Sequence, residues 1–503
     1  MEIVLKYLGY LLLIFAVFPV IPIVAALYYA EPVLPYFAPM LLSLLIGYWL
    51  TTLKLDSNGR VSITDFDLPR SISLFALSFL TISVIGSVPY LLVQKVSFID
   101  ALFESVSGFT TTGLTILTDV ESVSHSLLIW RAETQWIGGL SIVLLFLVVV
   151  SAMRSQESLK ETTTKARAVA NLYQAQGASE KIEANMKKSM RNTVFIYLFY
   201  TIVGIILLGI VGLSTFESIA IAFTAISTAG FSVTNEFYTS WPVLLVVSFL
   251  MLAGGMSFVA HSRLFKGHLR DLLRDRTLRF YILTILVAFL LTLFILRDFK
   301  ISFFEVISAF TTTGYSIADI SVMPAIVILV IFVGMITGGM LGSTCGGIKT
   351  NRFLLMLKSI PWMVKKAASP SGAIIPLKHD GLVVDDEYMI VTQAFIACYV
   401  LLLVLGTCVI MVTGESFLDS SFQTVSALGG VGLSTASPAY FTPVAKGVLS
   451  VAMLFGRLEI IPLLVLGRLF FERIRAKMRR SEEEARKLFY ISWLPSDLWK
   501  RRP

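Results

Sequence analysis

Apolar residues in this chain run in long unbroken stretches separated by short polar segments, without the alternation of half-buried strands. Ten stretches are long enough to cross the ~30 Å hydrocarbon core of a bilayer, which takes ~20 helical residues. They are 7–30, 33–52, 72–94, 128–152, 193–213, 242–260, 280–296, 324–341, 390–412 and 447–467. All are helix-length, unlike the ~10-residue alternating segments of an outer-membrane barrel. The pattern predicts an all-α polytopic membrane protein with about ten transmembrane helices. The first stretch carries Lys6 ahead of it and has no small-residue cleavage pattern before Glu31-Pro32, so it reads as a retained helix.

The polar interruptions repeat. Four segments each lie between two apolar helices: SGFTTTGLT (107–115), TAISTAGFS (224–232), SAFTTTGYS (308–316) and SALGGVGLS (426–434). They align on Gly113, Gly230, Gly314 and Gly432, with Ser or Thr six residues before and two residues after each glycine. A second landmark keeps the same register: Gly138-Gly139 lies 25 residues beyond the first glycine, and Gly254-Gly255, Gly338-Gly339 and Gly456-Arg457 lie 24 beyond the others. The chain therefore divides into an N-terminal helix pair (1–53), four units of helix, pore loop and helix (71–153, 192–262, 279–353 and 388–468) and a C-terminal tail (469–503). All four units enter from the same side, which implies parallel repeats around a pseudo-fourfold axis along the membrane normal.

Irregular backbone at membrane depth survives only where it is buried in protein or lines water. Four Ser/Thr/Gly segments around one axis suit a shared cation pathway, because rings of backbone carbonyls replace the hydration shell of K+. The expected ion-binding residues are Thr111, Thr112 and Gly113; Thr228, Ala229 and Gly230; Thr312, Thr313 and Gly314; and Gly430, Val431 and Gly432. The preceding segments (98–108, 214–225, 302–309 and 415–427) are expected to be short pore helices whose C-terminal ends point negative partial charge at the ion. Nine acidic residues, among them Glu104, Asp119, Glu305, Asp319 and Asp419, are expected near the outer mouth, where they fit either cation attraction or ordinary solvated loops.

A gate is expected below this filter. Arg457 stands where the other units have the second glycine of a pair, and an arginine within a span costs ~2.5 kcal/mol or more on insertion scales. The glycine pairs opposite it are expected to leave room for its side chain. The alternative is that Arg457 simply pairs with Glu459 or a pore-helix carbonyl. The third unit's glycine-rich stretch, with Thr337, Gly338, Gly339, Gly342, Ser343, Thr344, Gly346 and Gly347, is expected to break from helix into a loop and share the constriction.

Composition and charge narrow the function. The chain is 56% hydrophobic and 15% charged, against roughly 25% charged in soluble domains. Most of its 41 Lys and Arg fall in the loops 54–70, 153–192, 261–279 and 349–389 and in the tail 468–503. The opposite side holds only Lys95, Arg131, Arg297, Lys300 and Lys446, so both termini are expected in the cytoplasm. This bias accounts for the net charge of +8 without any nucleic-acid partner. The three cysteines and four histidines form no metal or disulfide pattern, and no cofactor is expected. The run Gly342–Thr350 lacks the lysine directly after its second glycine that a phosphate loop needs, and no hydrolase or metalloprotease motif occurs, so an enzyme is not expected.

The four loops, GMITGGMLGSTCGGIKT (334–350) and GRLEI (456–460) resemble the Trk/Ktr/HKT superfamily of K+ transporters over nearly the whole span from 70 to 470. The extra N-terminal pair resembles the TrkH branch, whereas the fourth loop, Gly429-Gly430-Val431-Gly432, departs from the usual TrkH-like and KtrB-like patterns. The resemblance implies a multi-pass cell-membrane protein that conducts K+. It also implies a homodimer with one pore per subunit and a cytoplasmic ring of nucleotide-binding regulatory subunits, TrkA-like or KtrA-like. A secondary carrier coupling K+ to Na+ or H+, or a Na+-permeable variant of the same fold, remains the alternative. The basic 153–192 loop and tail residues Arg473, Arg475, Arg479 and Arg480 are candidate docking surfaces, with attraction to anionic lipid the plainer reading.

Overall fold

A computed structural model describes residues 2–53, 68–157, 186–370, 373, 375–379, 382–384 and 386–458, with 467 and 475 as single positions. The candidate docking residues Lys160, Lys165, Arg167 and Lys181, most of the C-terminal tail and Glu459 lie outside the described residues. Among the described residues the regular secondary structure is helical except for a small antiparallel hairpin, Lys378–His379 against Leu382–Val383.

The N-terminal pair comprises α1 (Glu2–Phe15), α2 (Val20–Tyr28) and α3 (Leu34–Thr51). Unit 1 follows as α4 (Leu68–Gly86), α5 (Val88–Val93), pore helix α6 (Phe98–Phe109) and α7 (His125–Glu157). Unit 2 is α8 (Met186–Ile210), pore helix α9 (Thr215–Ile226), α10 (Trp241–Gly255) and α11 (Phe258–Phe265). After a short α12 (Leu269–Arg274), unit 3 is α13 (Arg276–Leu296), pore helix α14 (Phe299–Phe310), α15 (Ala325–Thr337) and α16 (Thr350–Ala367). Unit 4 is α17 (Asp386–Val412), pore helix α18 (Phe417–Gly429) and α19 (Pro443–Leu458).

Helix occurs at all ten expected positions, but among the described residues six helices are long and apolar enough to cross a membrane alone, or seven if one bent pair counts as a span. Two of the differences have a local cause. In unit 2 the second span bends by 105° between α10 and α11. In unit 3 it stops at Thr337, where Gly338 turns to φ +63°, and resumes as helix only at Thr350.

Each pore helix starts on a side-chain cap. Ser97, Ser214, Asp298 and Ser416 accept the backbone N–H of Asp100, Glu217, Ile301 and Asp419 at 3.2, 3.2, 3.0 and 3.1 Å. Such a cap satisfies one of the donors a helix start leaves open, worth about 1 kcal/mol.

The units close into a ring. The second helix of each unit packs on the pore helix of the next: α7 on α9, α10 on α14, α15 on α18, and α19 back on α6. The N-terminal pair stands outside and clamps unit 1, since Glu31 accepts both the His125 and Ser126 N–H groups at 2.8 Å and so caps α7.

Candidate functional site: a ring of four glycine loops

After each pore helix the chain turns back in the same conformation. The residue two before each aligned glycine is left-handed: Thr111, Thr228, Thr312 and Gly430 have φ of 52, 50, 50 and 59°. The glycines follow at +85, +78, +91 and +97°. Each turn is closed by one bond from the residue before the glycine to the Ser or Thr six before it. Thr112 N–H donates to Ser107 O, Ala229 to Thr224 O, Thr313 to Ser308 O and Val431 to Ser426 O, all at 2.9 Å. A left-handed threonine costs about 1–2 kcal/mol that glycine does not. The unusual Gly430 is therefore the same turn with its strain removed.

The aligned glycines are where one unit meets the next. A Cβ on Gly113 would overlap the Ala229 carbonyl oxygen, one on Gly230 that of Thr313, one on Gly314 that of Val431, and one on Gly432 that of Thr112. The contact runs 1 to 2 to 3 to 4 and back to 1. Any side chain here would spread the ring apart. On its outer side, Gly113, Leu114 and Thr115 face Gly432 and 434–438 across a cavity of about 260 Å³.

Behind the loops, side chains of three pore helices brace the strand leaving the glycine. Glu104 accepts Thr115 Oγ1–H at 2.8 Å and Ile116 N–H at 3.0 Å. Glu305 accepts Ser316 Oγ–H at 2.9 Å and Ile317 N–H at 2.8 Å. Gln423 Nε2 donates to Ser434 Oγ at 2.5 Å and to Ala436 O at 2.6 Å. All three sit nine residues before their glycine, and unit 2 has Ile221 there.

Below the ring lies the loop between α15 and α16. Thr344 N–H donates to Gly254 O at 3.1 Å, and its hydroxyl reaches Gly254 O at 3.0 Å, Ile226 O at 3.2 Å and Thr228 Oγ1 at 3.0 Å. Met340 N–H donates to Gly255 O and Phe258 N–H to Gly342 O, both at 2.9 Å, so the loop is tied to the unit 2 bend by main-chain bonds. Gly346 N–H donates to Thr312 Oγ1 at 2.9 Å, and a Cβ on Gly346 would overlap the Gly429 carbonyl. From unit 4, Arg457 is buried and donates to Thr344 O and to Gly138 O, each at 2.7 Å.

The TrkH family, described as cation transport proteins, matches residues 45–296 and 297–473. This chain belongs to the TrkH family of cation transport proteins. It is 31% identical over 485 residues to an uncharacterised cation transporter of Methanocaldococcus jannaschii, covering 94% of this chain and 96% of that one. It is 29% identical over 492 residues to the Trk system potassium uptake protein TrkG of Escherichia coli, with 92% and 97% covered. In fold it resembles the crystal structure of the potassium transporter TrkH from Vibrio parahaemolyticus, with a TM-score of 0.78 at 24% identity over 92% of this chain and 98% of that one. Membership makes the chain a multi-pass membrane protein of a transporter class, not of an enzyme class.

In this TrkH-family chain the twelve expected loop residues lie in the four turns, and of the nine residues expected at a gate Thr344, Gly346 and Arg457 make the contacts that join the α15–α16 loop to unit 2, to Thr312 and to unit 1. Several expectations are corrected. Glu104 and Glu305 are fully buried behind the loops, not at the outer mouth. Arg131 is not a loop residue but a buried side chain of α7 that pairs with Glu104 at 2.9 Å. Lys446 is likewise buried and pairs with Asp100 at 2.6 Å. Asp119 and Asp319 lie in the exposed loops that join a pore helix to the helix after it, and hydrogen bonds from Asn235 and from Ser321 hold their carboxyls below the usual range. The glycine pairs serve close contact: a Cβ on Gly138, Gly254 or Gly456 would press on the carbonyl of Phe109, Ile226 or Leu428 at a pore-helix end. Arg457 lies deep in its helix. Its helix starts at Pro443, so it sits roughly 21 Å from that end at 1.5 Å per residue. The bracing residues Glu104, Glu305 and Gln423 form a third register of the repeat, nine residues before the aligned glycine.

Proposed function

We propose that this chain is the ion-conducting membrane subunit of a K+ uptake system, passing K+ and Rb+ through the carbonyls of the four glycine loops. The observation that carries the reading is the closed cycle in which each aligned glycine abuts the carbonyl before the next. Backbone locked in that way presents oxygens whose spacing cannot relax around a smaller ion. The Trk potassium uptake names of the relatives agree with K+ as cargo.

The loop 338–349 and Arg457 form the gate. Arg457 fastens that loop to unit 1 through two charge-assisted bonds and puts a positive charge beneath the ring. Its two carbonyl partners belong to the loop and to α7, not to a pore helix, and act as the latch. The charge bias of the loops supports cytoplasmic termini. Resemblance to the Trk/Ktr/HKT superfamily supports a homodimer in the cell membrane, regulated by TrkA-like or KtrA-like nucleotide-binding subunits docked on the basic loop 153–192 and the tail.

Tracer flux into liposomes holding the purified protein tests the reading. With K+, Rb+, Na+ and Li+ in turn, K+ and Rb+ should enter several-fold faster than Na+. Equal K+ and Na+ entry would overturn it in favour of a Na+-permeable variant. K+ entry that requires a Na+ or H+ gradient would favour a coupled carrier.

A further inference from the structure

Three of the four units brace the strand leaving their loop with a polar side chain nine residues before the glycine; unit 2 has Ile221, which offers neither donor nor acceptor. Unit 1 reaches over to supply what is missing. Gln135 of α7 donates from Nε2 to Ala229 O at 2.7 Å and accepts Phe231 N–H on Oε1 at 3.0 Å, so one amide grips the peptides on both sides of Gly230. One turn earlier, Arg131 donates from Nη1 to Ser232 O at 3.2 Å and lies 4.0 Å over the Phe231 ring. The same guanidinium is anchored on Glu104 through Nε at 2.9 Å and on Thr115 Oγ1 at 3.0 Å. Both side chains are buried. Counted back from the glycine pairs, the positions equivalent to Gln135 are Met251, Met335 and Met453, and those equivalent to Arg131 are Val247, Ile331 and Leu449. The polar pair belongs to unit 1 alone.

We infer that Gln135 and Arg131 are specificity-determining positioning residues: a brace from unit 1 that fixes the unit 2 loop and tunes the ring's discrimination between K+ and Na+. This rests on the K+ reading above. Gln135 occupies one lone pair of the Ala229 carbonyl, an oxygen of the ring that abuts Gly113, and so sets both its direction and the field it can offer an ion. Arg131 neutralises the buried Glu104 and ties the unit 1 and unit 2 strands together. Neither residue needs to touch the ion.

The test is K+ and Na+ flux through liposomes containing the full chain, unmutated, Gln135→Met or Arg131→Lys. Gln135→Met installs the residue type of the other three units and removes both bonds. Arg131→Lys keeps the charge beside Glu104 but loses the planar fork that reaches two units at once. Gln135→Met should lower the K+:Na+ flux ratio about fivefold or more, and Arg131→Lys by less, about two- to threefold. If Arg131→Lys does not yield monodisperse protein, Gln135→Met decides alone. Unselective flux through the unmutated chain would instead remove the K+ reading itself. A selective parent whose ratio stays within about twofold in well-folded Gln135→Met, or in which K+ and Na+ flux fall together, would overturn the brace and leave these residues structural.

Discussion

In the ring of loops every unit makes the same contact with its neighbour; in the layer directly beneath, no two units are alike. The ring repeats one turn, one closing bond of 2.9 Å and one glycine pressed on a carbonyl, four times over. Beneath it, unit 1 runs on as unbroken helix, unit 2 bends by 105°, unit 3 opens into a loop, and unit 4 sends in Arg457. The difference teaches which part is fixed and which can move. A cyclic backbone clasp has no weakest member, so shifting one loop disturbs all four. The lower layer joins unit 3 to unit 2 by main-chain bonds but reaches units 1 and 4 through the side chain of Arg457, whose bonds to Thr344 O and Gly138 O are exchangeable for a modest cost.

The sharpest way to break this contrast is a side chain in the ring. Gly113→Ser places a Cβ on the Ala229 carbonyl at φ +85°. The K+:Na+ flux ratio should fall about tenfold or more, because carbonyl positions change around the whole cycle. A ratio equal to that of the unmutated chain would mean the ring does not discriminate. Arg457→Ala probes the lower layer. Losing two charge-assisted bonds should raise cation flux by about fivefold to tenfold with the ratio nearly unchanged. Flux that stays level or falls in a well-folded variant would make Arg457 a structural strut. The smallest effect is expected at Gly430, whose left-handed turn threonine adopts in the other three units. Gly430→Thr should cost about 1–2 kcal/mol of stability, seen as a lower melting temperature, with selectivity retained. Loss of selectivity there would show that the fourth loop is not equivalent to the other three.

Much of the ring was legible in the sequence because its requirements are local. Positive φ and close approach select glycine, and in units 3 and 4 the serine hydroxyl six before it accepts the glycine N–H, so the register shows along the chain. The break after Thr337 was legible for the same reason, since a run so rich in glycine does not hold a helix. Arg131 and Glu104 were not legible as partners. One was read as a loop cation and the other as an outer-mouth acid, because periodicity says how far a residue lies along a helix and not which element comes to cover it.

The sequence alone determined the helix-length apolar stretches, the fourfold repeat and the candidate loops, all of which depend on residue types at fixed spacing. Only the tertiary structure decided that the loops close into a cycle and that the glycine pairs serve contact with pore-helix carbonyls rather than open space. It alone decided that Arg457 meets Thr344 and Gly138, and that unit 1 braces unit 2 through Gln135. Those partners lie roughly a hundred residues or more away along the chain, and no local spacing encodes them. Buried polar groups must find partners because leaving one unpaired costs about 1–3 kcal/mol, but which partner is available is set by the packing of whole helices.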